Sequence, residues 1–232
     1  MIVIPIFKPN SNLINLVKNL KKFSKSGYNE NILIINDGSF DDKSKFFFDI
    51  LKKKKFIKII NHKKNMGKGA AIKTALKYGI KNKINFLVFA DGDGQHHHLD
   101  IIKFIKKSKK KSRFFIGKRN FNNKVPYLNK LGNKLSSILF LILFRVNVDD
   151  TQNGLRSIPQ KFYKICGESK SNGFGYETEI IIKMIKKYRT EIVFVPIKTI
   201  YDNYKKGFAT HFKPFSDSIK ILYHIILNFL KN

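Results

Sequence analysis

Two carboxylates straddling a glycine, Asp91-Gly92-Asp93, are the side chains in this chain best suited to a hard divalent cation. Oxygen ligands at that spacing, placed at a strand end, can share the ion with a diphosphate. Gln95 supplies a neutral oxygen at the next odd position, and Gly92 and Gly94 would let the backbone come close to a ligand. A turn rich in Asp and Gly is also common with no ligand at all, so the triplet alone leaves both readings open. His96, His97 and His98 follow it and suggest a softer metal such as zinc. Three adjacent side chains cannot all face one ion, and a zinc site is not expected.

Three other segments offer chemistry. Asn36-Asp37-Gly38-Ser39 can be a turn that caps the next helix through Ser39, or it can present Asp37 to a base or a ribose hydroxyl. Gly67-Lys68-Gly69 opens a helix and can offer backbone N–H groups and an ammonium to an anion. It is not a P-loop, because the Gly-x4-Gly-Lys-Ser/Thr spacing is missing. Glu177 and Glu179 stand at a helix start, where the dipole favours carboxylates in any case. Glu177 shares a helical face with Ile181, Met184 and Tyr188 and should point inward; Glu179 shares one with Lys183 and Lys186 and should point outward. Glu177 is the preferred general base or acceptor contact, with Asp149 and Asp150 as rivals. His62 reads as a surface loop residue, and Cys166 as a small apolar packer.

The elements that must position these groups are legible in the first half. Short apolar runs at Ile2–Phe7, Ile32–Ile35, Phe56–Ile60, Asn85–Ala90 and Phe114–Gly117 read as strands buried on both faces. Helical spacing joins Leu13, Leu16, Val17, Leu20 and Phe23 after a cap at Ser11, and again Ala71, Ile72, Ala75 and Leu76. Strands alternating with helices predict an α/β fold with a mostly parallel central sheet flanked by helices. The polar loops then gather at the carboxyl ends of the strands, where open α/β sheets bind ligands. In the second half, helices are expected over Tyr127–Phe144, Glu177–Tyr188 and Pro214–Leu230, with a strand at Ile192–Val195. No linker-like stretch separates the halves, which predicts one domain over 1–232.

Composition narrows the classes. The formal charge is +30, yet only five of the 46 basic residues are arginine. Nucleic-acid readers draw heavily on arginine for bidentate and stacking contacts, so no nucleic-acid partner is expected. A solvated lysine coat is the first reading and an anionic membrane surface the second. The single cysteine allows no internal disulfide, which fits a reducing compartment. No segment is long and apolar enough to span a bilayer, and the first residues lack the pattern of a signal peptide.

Order and spacing add what single motifs do not. The run Ile4-Pro5, Ile34-Ile-Asn-Asp-Gly-Ser39, Asn65-Met-Gly-Lys-Gly-Ala-Ala71 and Phe89-Ala-Asp-Gly-Asp-Gly-Gln-His96 resembles the donor half of family-2 glycosyltransferases. The likeness continues through Ile116-Gly-Lys-Arg119, Asp150-Thr-Gln-Asn-Gly-Leu-Arg156, Gly175-Tyr-Glu-Thr-Glu-Ile180 and Val195-Pro-Ile197. Within that family the chain looks most like the dolichyl- or polyprenyl-phosphate sugar synthases. The resemblance implies a GT-A-type fold and an inverting transfer that needs Mg2+ or Mn2+, from a UDP- or GDP-linked sugar to a lipid phosphate or glycan acceptor. It implies that Pro5, Phe7 and Asp37 line the base and ribose pocket, and that Ala90, Asp91 and Gly92 meet the nucleotide. Asp93 and Gln95, with Asp91, would hold the metal, and Lys68, Arg119 and Arg156 would face phosphates. Gln152, Arg156, Glu179 and His211 would lie on the acceptor side. Residues 1–120 would grip the donor, 121–213 would shape the acceptor side, and 214–232 would form an amphipathic helix at the inner face of the cytoplasmic membrane. Pro9 stands where the family often has an acidic residue, which leaves the base open. A non-catalytic lipid-binding scaffold of the same fold is the alternative from another class, and the intact Asp91-x-Asp93 speaks against it.

Overall fold

The computed structural model describes residues 1–24, 31–120, 127–173, 175–198 and 214–230. Its strands are β1 (Ile2–Ile6), β2 (Ile32–Asn36), β3 (Ile57–Asn61), β4 (Phe86–Phe89), β5 (Phe114–Arg119), β6 (Arg156–Pro159) and β7 (Ile192–Ile197). The helices are α1 (Ser11–Ser24), α2 (Asp42–Lys52), α3 (Lys68–Lys81), α4 (His98–Lys110), α5 (Tyr127–Phe144), α6 (Tyr163–Gly167), α7 (Gly175–Tyr188) and α8 (Pro214–Leu230). The strands form one sheet in the order β3-β2-β1-β4-β6-β5-β7. All its neighbouring strands run parallel except at β6, which is antiparallel to both β4 and β5.

Successive strand residues point to opposite faces, so the unbroken apolar runs serve two layers. Val3, Leu33, Ile35, Leu87 and Phe89 pack with α3, α6 and α7 and with Phe140 of α5 and Ile221 and Ile225 of α8. Ile2, Ile4, Ile32, Ile34 and Val88 pack on the other side with α1, α2 and α4.

Three local details depart from expectation. β6 was not anticipated, because Arg156-Ser-Ile-Pro159 carries an arginine and a proline where a central strand should read apolar. The cap of α1 is Asn10 rather than Ser11: its Oδ1 accepts from the Asn12 N–H at 2.9 Å. Helix α2 follows the Asn36–Ser39 turn but does not take its cap from Ser39, and α4 fills the interval between β4 and β5. The first is capped by Asp41, which accepts from Ser44 N–H, and the second by His97, which accepts from Leu99 N–H.

Candidate functional site

The order β2-β1-β4 reverses the winding of the sheet between β1 and β4, the place where loops leave a crevice at the strand ends. Asp91 follows β4 there. Its Oδ1 lies 2.7 Å from the Lys68 Nζ, and the same ammonium lies 2.9 Å from Glu177 Oε1. One lysine at the start of α3 therefore ties the end of β4 to the start of α7. Gly154 closes over Asp91 from the other side: a Cβ on it would sit 2.2 Å from Asp91 Oδ2. His96 completes the setting, its Nδ1 accepting from the Asp91 N–H at 3.0 Å. That leaves the proton of a neutral ring on Nε2, the nitrogen 3.9 Å from Asp91 Oδ2.

The charges are unequally compensated. Burial would lower the Lys68 ammonium, but two carboxylates in contact outweigh it and hold it well above the ordinary lysine range. Burial would raise Asp91, yet the Lys68 ammonium beside it holds it below the usual aspartate value. Asp93 goes the other way, pushed up by burial and by the charge of Asp91. Among the described residues no cation pairs with Asp93, whose Oδ1 accepts only the Gln95 N–H, at 2.9 Å. No three His, Cys, Asp or Glu side chains of the described residues converge as a complete metal cage. Two crowded carboxylates with one left uncompensated nevertheless suit a divalent ion whose remaining ligands come from a diphosphate. The carboxylates of Asp91 and Asp93 thus suit the Mg2+ or Mn2+ that the resemblance implies.

Asp37 is used differently from the expectation. It is 3% exposed, and its carboxylate accepts the Met66 N–H at 2.9 Å, the Gly67 N–H at 2.8 Å and His62 Nδ1 at 2.7 Å. It holds the loop before α3. His62, expected at the surface, is buried at the end of β3, with Nε2 2.8 Å from Thr74 Oγ1. The start of α3 is not open to an anion either, because the Asn172 carbonyl accepts from Gly69 N–H at 2.7 Å and from Ala70 N–H at 3.3 Å. Gly67 and Gly69 are glycines for that contact: a Cβ on either would meet the Asn172 carbonyl or Tyr176 within 3 Å. Pro5 and Ala90 are buried, Phe7 is half-buried, and the open side of Gly92 is filled by Ile6 and Ile4.

Several acceptor-side expectations also change. Arg156 is 2% exposed and donates to the backbone carbonyls of Asn153, Glu177 and Thr151, so it ties loops together rather than meeting phosphates. Arg119 makes a two-pronged pair with fully buried Asp150, Nε to Oδ2 at 2.7 Å and Nη2 to Oδ1 at 2.8 Å. Asp149 pairs with Lys118 at 3.0 Å. Glu179 turns inward, not outward: it accepts from the Ser169 hydroxyl and from the Lys170 and Ser171 N–H groups. Those bonds overcome the upward pull of burial and lower its carboxyl to about 2. Gln152 donates to Thr178 Oγ1 at 2.6 Å and braces α7. His211 lies outside the described residues. Gly154, Asn172 and His62 were missed because each acts through a residue distant in the chain. Gly154 lies within the Asp150–Arg156 stretch that carries the resemblance, but nothing in the sequence sets it against Asp91.

Glycosyl transferase family 2 describes residues 1–171. The UDP-N-acetylglucosamine–dolichyl-phosphate N-acetylglucosaminyltransferase of Methanococcus voltae is 30% identical over 97% of this chain and 94% of its own length. An uncharacterized protein of Methanocaldococcus jannaschii is 31% identical over 97% of this chain and 90% of its own. Among solved structures, mannosyl-3-phosphoglycerate synthase from Rubrobacter xylanophilus superposes with a TM-score of 0.72 at 12% identity, covering 99% of this chain and 72% of that one. Glucosyl-3-phosphoglycerate synthase from Mycobacterium tuberculosis, solved with Mn2+, UDP-glucose and phosphoglyceric acid, gives 0.70 at 13% identity, covering 98% and 78%. The fold is thus that of GT-A glycosyltransferases, and with the crevice, its paired aspartates and a family match over most of the chain, the protein belongs to glycosyl transferase family 2.

Proposed function

We propose that this glycosyltransferase moves a sugar, with inversion, from a UDP- or GDP-linked donor to the phosphate of a polyprenyl-type lipid at the inner face of the cytoplasmic membrane. The observation that carries this reading is the Lys68 bridge. A sugar hydroxyl must lose a proton to a base, whereas a lipid phosphate is already anionic near neutral pH. Glu177, the best-placed base in the sequence, is 3% exposed at its side chain and neutralised by Lys68. Its rivals are engaged as well: Asp150 with Arg119, Asp149 with Lys118, Glu179 with the 169–171 loop. The dolichyl-phosphate activity of the Methanococcus voltae relative points the same way.

In this reading Asp91, Asp93 and Gln95 would hold Mg2+ or Mn2+, which when bound offsets charge growing on the departing diphosphate. Lys68 fixes Asp91 in place and supplies positive charge at the same edge. Pro5, Phe7 and Ala90 form the floor under the nucleotide, and Gln152 with α7 forms the acceptor wall.

A membrane platform fits a lipid acceptor. No described helix is long and apolar enough to cross a bilayer. Leu131, Leu135, Ile138 and Ile142 of α5, however, are exposed by 38–67%, and Ile219, Tyr223, Ile226 and Leu230 of α8 by 44–69%. Both sets recur at i, i+4, i+7 and i+11, one face of a helix. The two helices pack side by side, with the Phe144 and Phe229 rings edge to face at 5.6 Å. Exposed Lys130 and Lys134 border the α5 face. Apolar faces with basic borders suit helices lying among lipid headgroups.

The experiment is a product assay with labelled UDP- and GDP-sugars, a polyprenyl phosphate and Mn2+. A glycolipid of inverted anomeric configuration is expected. Label appearing only on glycan hydroxyls would replace this reading with polysaccharide extension, and no transfer to any acceptor would favour a scaffold.

A further inference from the structure

We infer that His62 is a positioning residue for Lys68, acting through Asp37. The imidazole is anchored twice. Its own backbone N–H donates to the Asn36 carbonyl at 2.9 Å, and its ring spans from Asp37 Oδ1 at 2.7 Å to Thr74 Oγ1 at 2.8 Å. With Asp37 as acceptor, Nδ1 carries a proton, and with that tautomer the Thr74 hydroxyl donates to Nε2.

The consequence lies on the far side of Asp37. The carboxylate that His62 holds accepts the N–H groups of Met66 and Gly67, the two residues just before Lys68. The backbone there has little freedom of its own to find this path. Gly67 sits at φ 92, and Gly38 at φ 81 has Lys64 and Asn65 backbone within 2.7 Å of where a Cβ would be. Such a loop keeps its shape only while surrounding bonds over-determine it. Lys68 then leaves the loop at one aim, between Asp91 and Glu177. Thr74 lies on α3 itself, so the same imidazole also ties the body of that helix to the ends of β2 and β3.

The geometry separates this role from mere packing, because the two ring nitrogens have different partners. Asparagine can place an amide N–H where Nδ1 stands, and glutamine can place its terminal amide where Nε2 stands, the amide oxygen accepting from Thr74. His62→Asn should therefore keep the bond to Asp37, while His62→Gln keeps only the contact to Thr74.

The test compares His62→Ala, His62→Gln and His62→Asn with the wild type in two ways. The first is amide hydrogen exchange at Met66 and Gly67 in the folded protein, which is independent of donor and acceptor. The second is donor KM in the transfer assay, which rests on the proposed reaction. Exchange at both amides is expected to speed up about tenfold or more in the Ala and Gln variants, with donor KM rising about fivefold or more. His62→Asn is expected to restore both to within about twofold. A general loss of folded enzyme lowers kcat and leaves KM alone, so a KM rise marks misplacement. Unchanged exchange and KM in His62→Gln, or an Asn variant no better than Gln, would overturn the inference. If the wild type transfers no sugar to lipid phosphate, the proposed acceptor fails while the exchange measurement still decides His62.

Discussion

Lys68 and Glu177 meet at 2.9 Å across the gap between two helix starts, and the lysine reaches Asp91 at 2.7 Å with the same nitrogen. Glu177 is thereby the counter-charge of a half-buried cation. Glu177→Gln is expected to lower kcat toward a lipid phosphate by less than about tenfold, well short of the 10²–10⁴ loss for a missing general base. Lys68→Met should destabilise the protein by about 3 kcal/mol in urea, because it strands two carboxylates. A Glu177→Gln loss near a thousandfold would make Glu177 a base and reinstate a hydroxyl acceptor.

Asp93 is pushed up by burial and by its neighbour's charge, the condition a divalent ion relieves. Asp93→Ala is expected to abolish transfer while leaving the free energy of unfolding within about 1 kcal/mol of wild type. A chelator should do the same to the wild type. Near wild-type rates in either case would show that this carboxylate binds no metal.

Gly154 admits no side chain against Asp91. Since a Cβ would lie 2.2 Å from Asp91 Oδ2, Gly154→Ala must move either the carboxylate or the loop. Asp91 is held by Lys68 and cannot swing freely. A drop in kcat/KM of about a hundredfold is expected, from a shift of about 1 Å at the site. Kinetics indistinguishable from wild type would mean that Asp91 has no fixed part in the reaction.

Glu179 should write itself into the acid limb of stability. Its carboxyl is lowered from 4.5 to about 2. A depressed carboxyl stabilises fully above its unfolded value and loses that contribution as pH falls through the folded one. The stability gap between wild type and Glu179→Gln should therefore be largest above about pH 5 and shrink between roughly 4.5 and 2. Urea titrations across that window measure it, and a pH-independent gap would contradict the bonding described.

The exposed face of α5 and α8 can be tested without dismantling the core. Ile221 and Ile225 of α8 are buried, so removing the helix would disturb the fold rather than a surface alone. Ile142→Glu with Tyr223→Glu changes only exposed positions. Sedimentation with anionic vesicles should show wild-type binding that falls with salt and weakens about tenfold or more in the double variant. A wild type that ignores vesicles at low salt would remove the platform.

Much of this protein is determined by local pattern. The apolar runs of β1, β2 and β4 can only be buried on both faces, and the helical spacing between them demands a mostly parallel sheet. That topology in turn delivers Asp37, Lys68 and Asp91 to one edge whatever the side chains do next. The order of the motifs likewise named the family before any coordinate. Side-chain roles within the edge belonged to the tertiary structure. Whether Asp37 faces a ligand or a loop depends on His62 and two amides that arrive from another strand. Whether Glu179 points out or in depends on a loop that folds back over α7, which helical periodicity cannot register. Arg156 and Arg119 were phosphate ligands by the resemblance alone, and in the structure Asp150 and three backbone carbonyls hold them instead. Hydrogen bonds between residues far apart in the chain leave no period in the sequence, and they decide which polar groups remain for substrate.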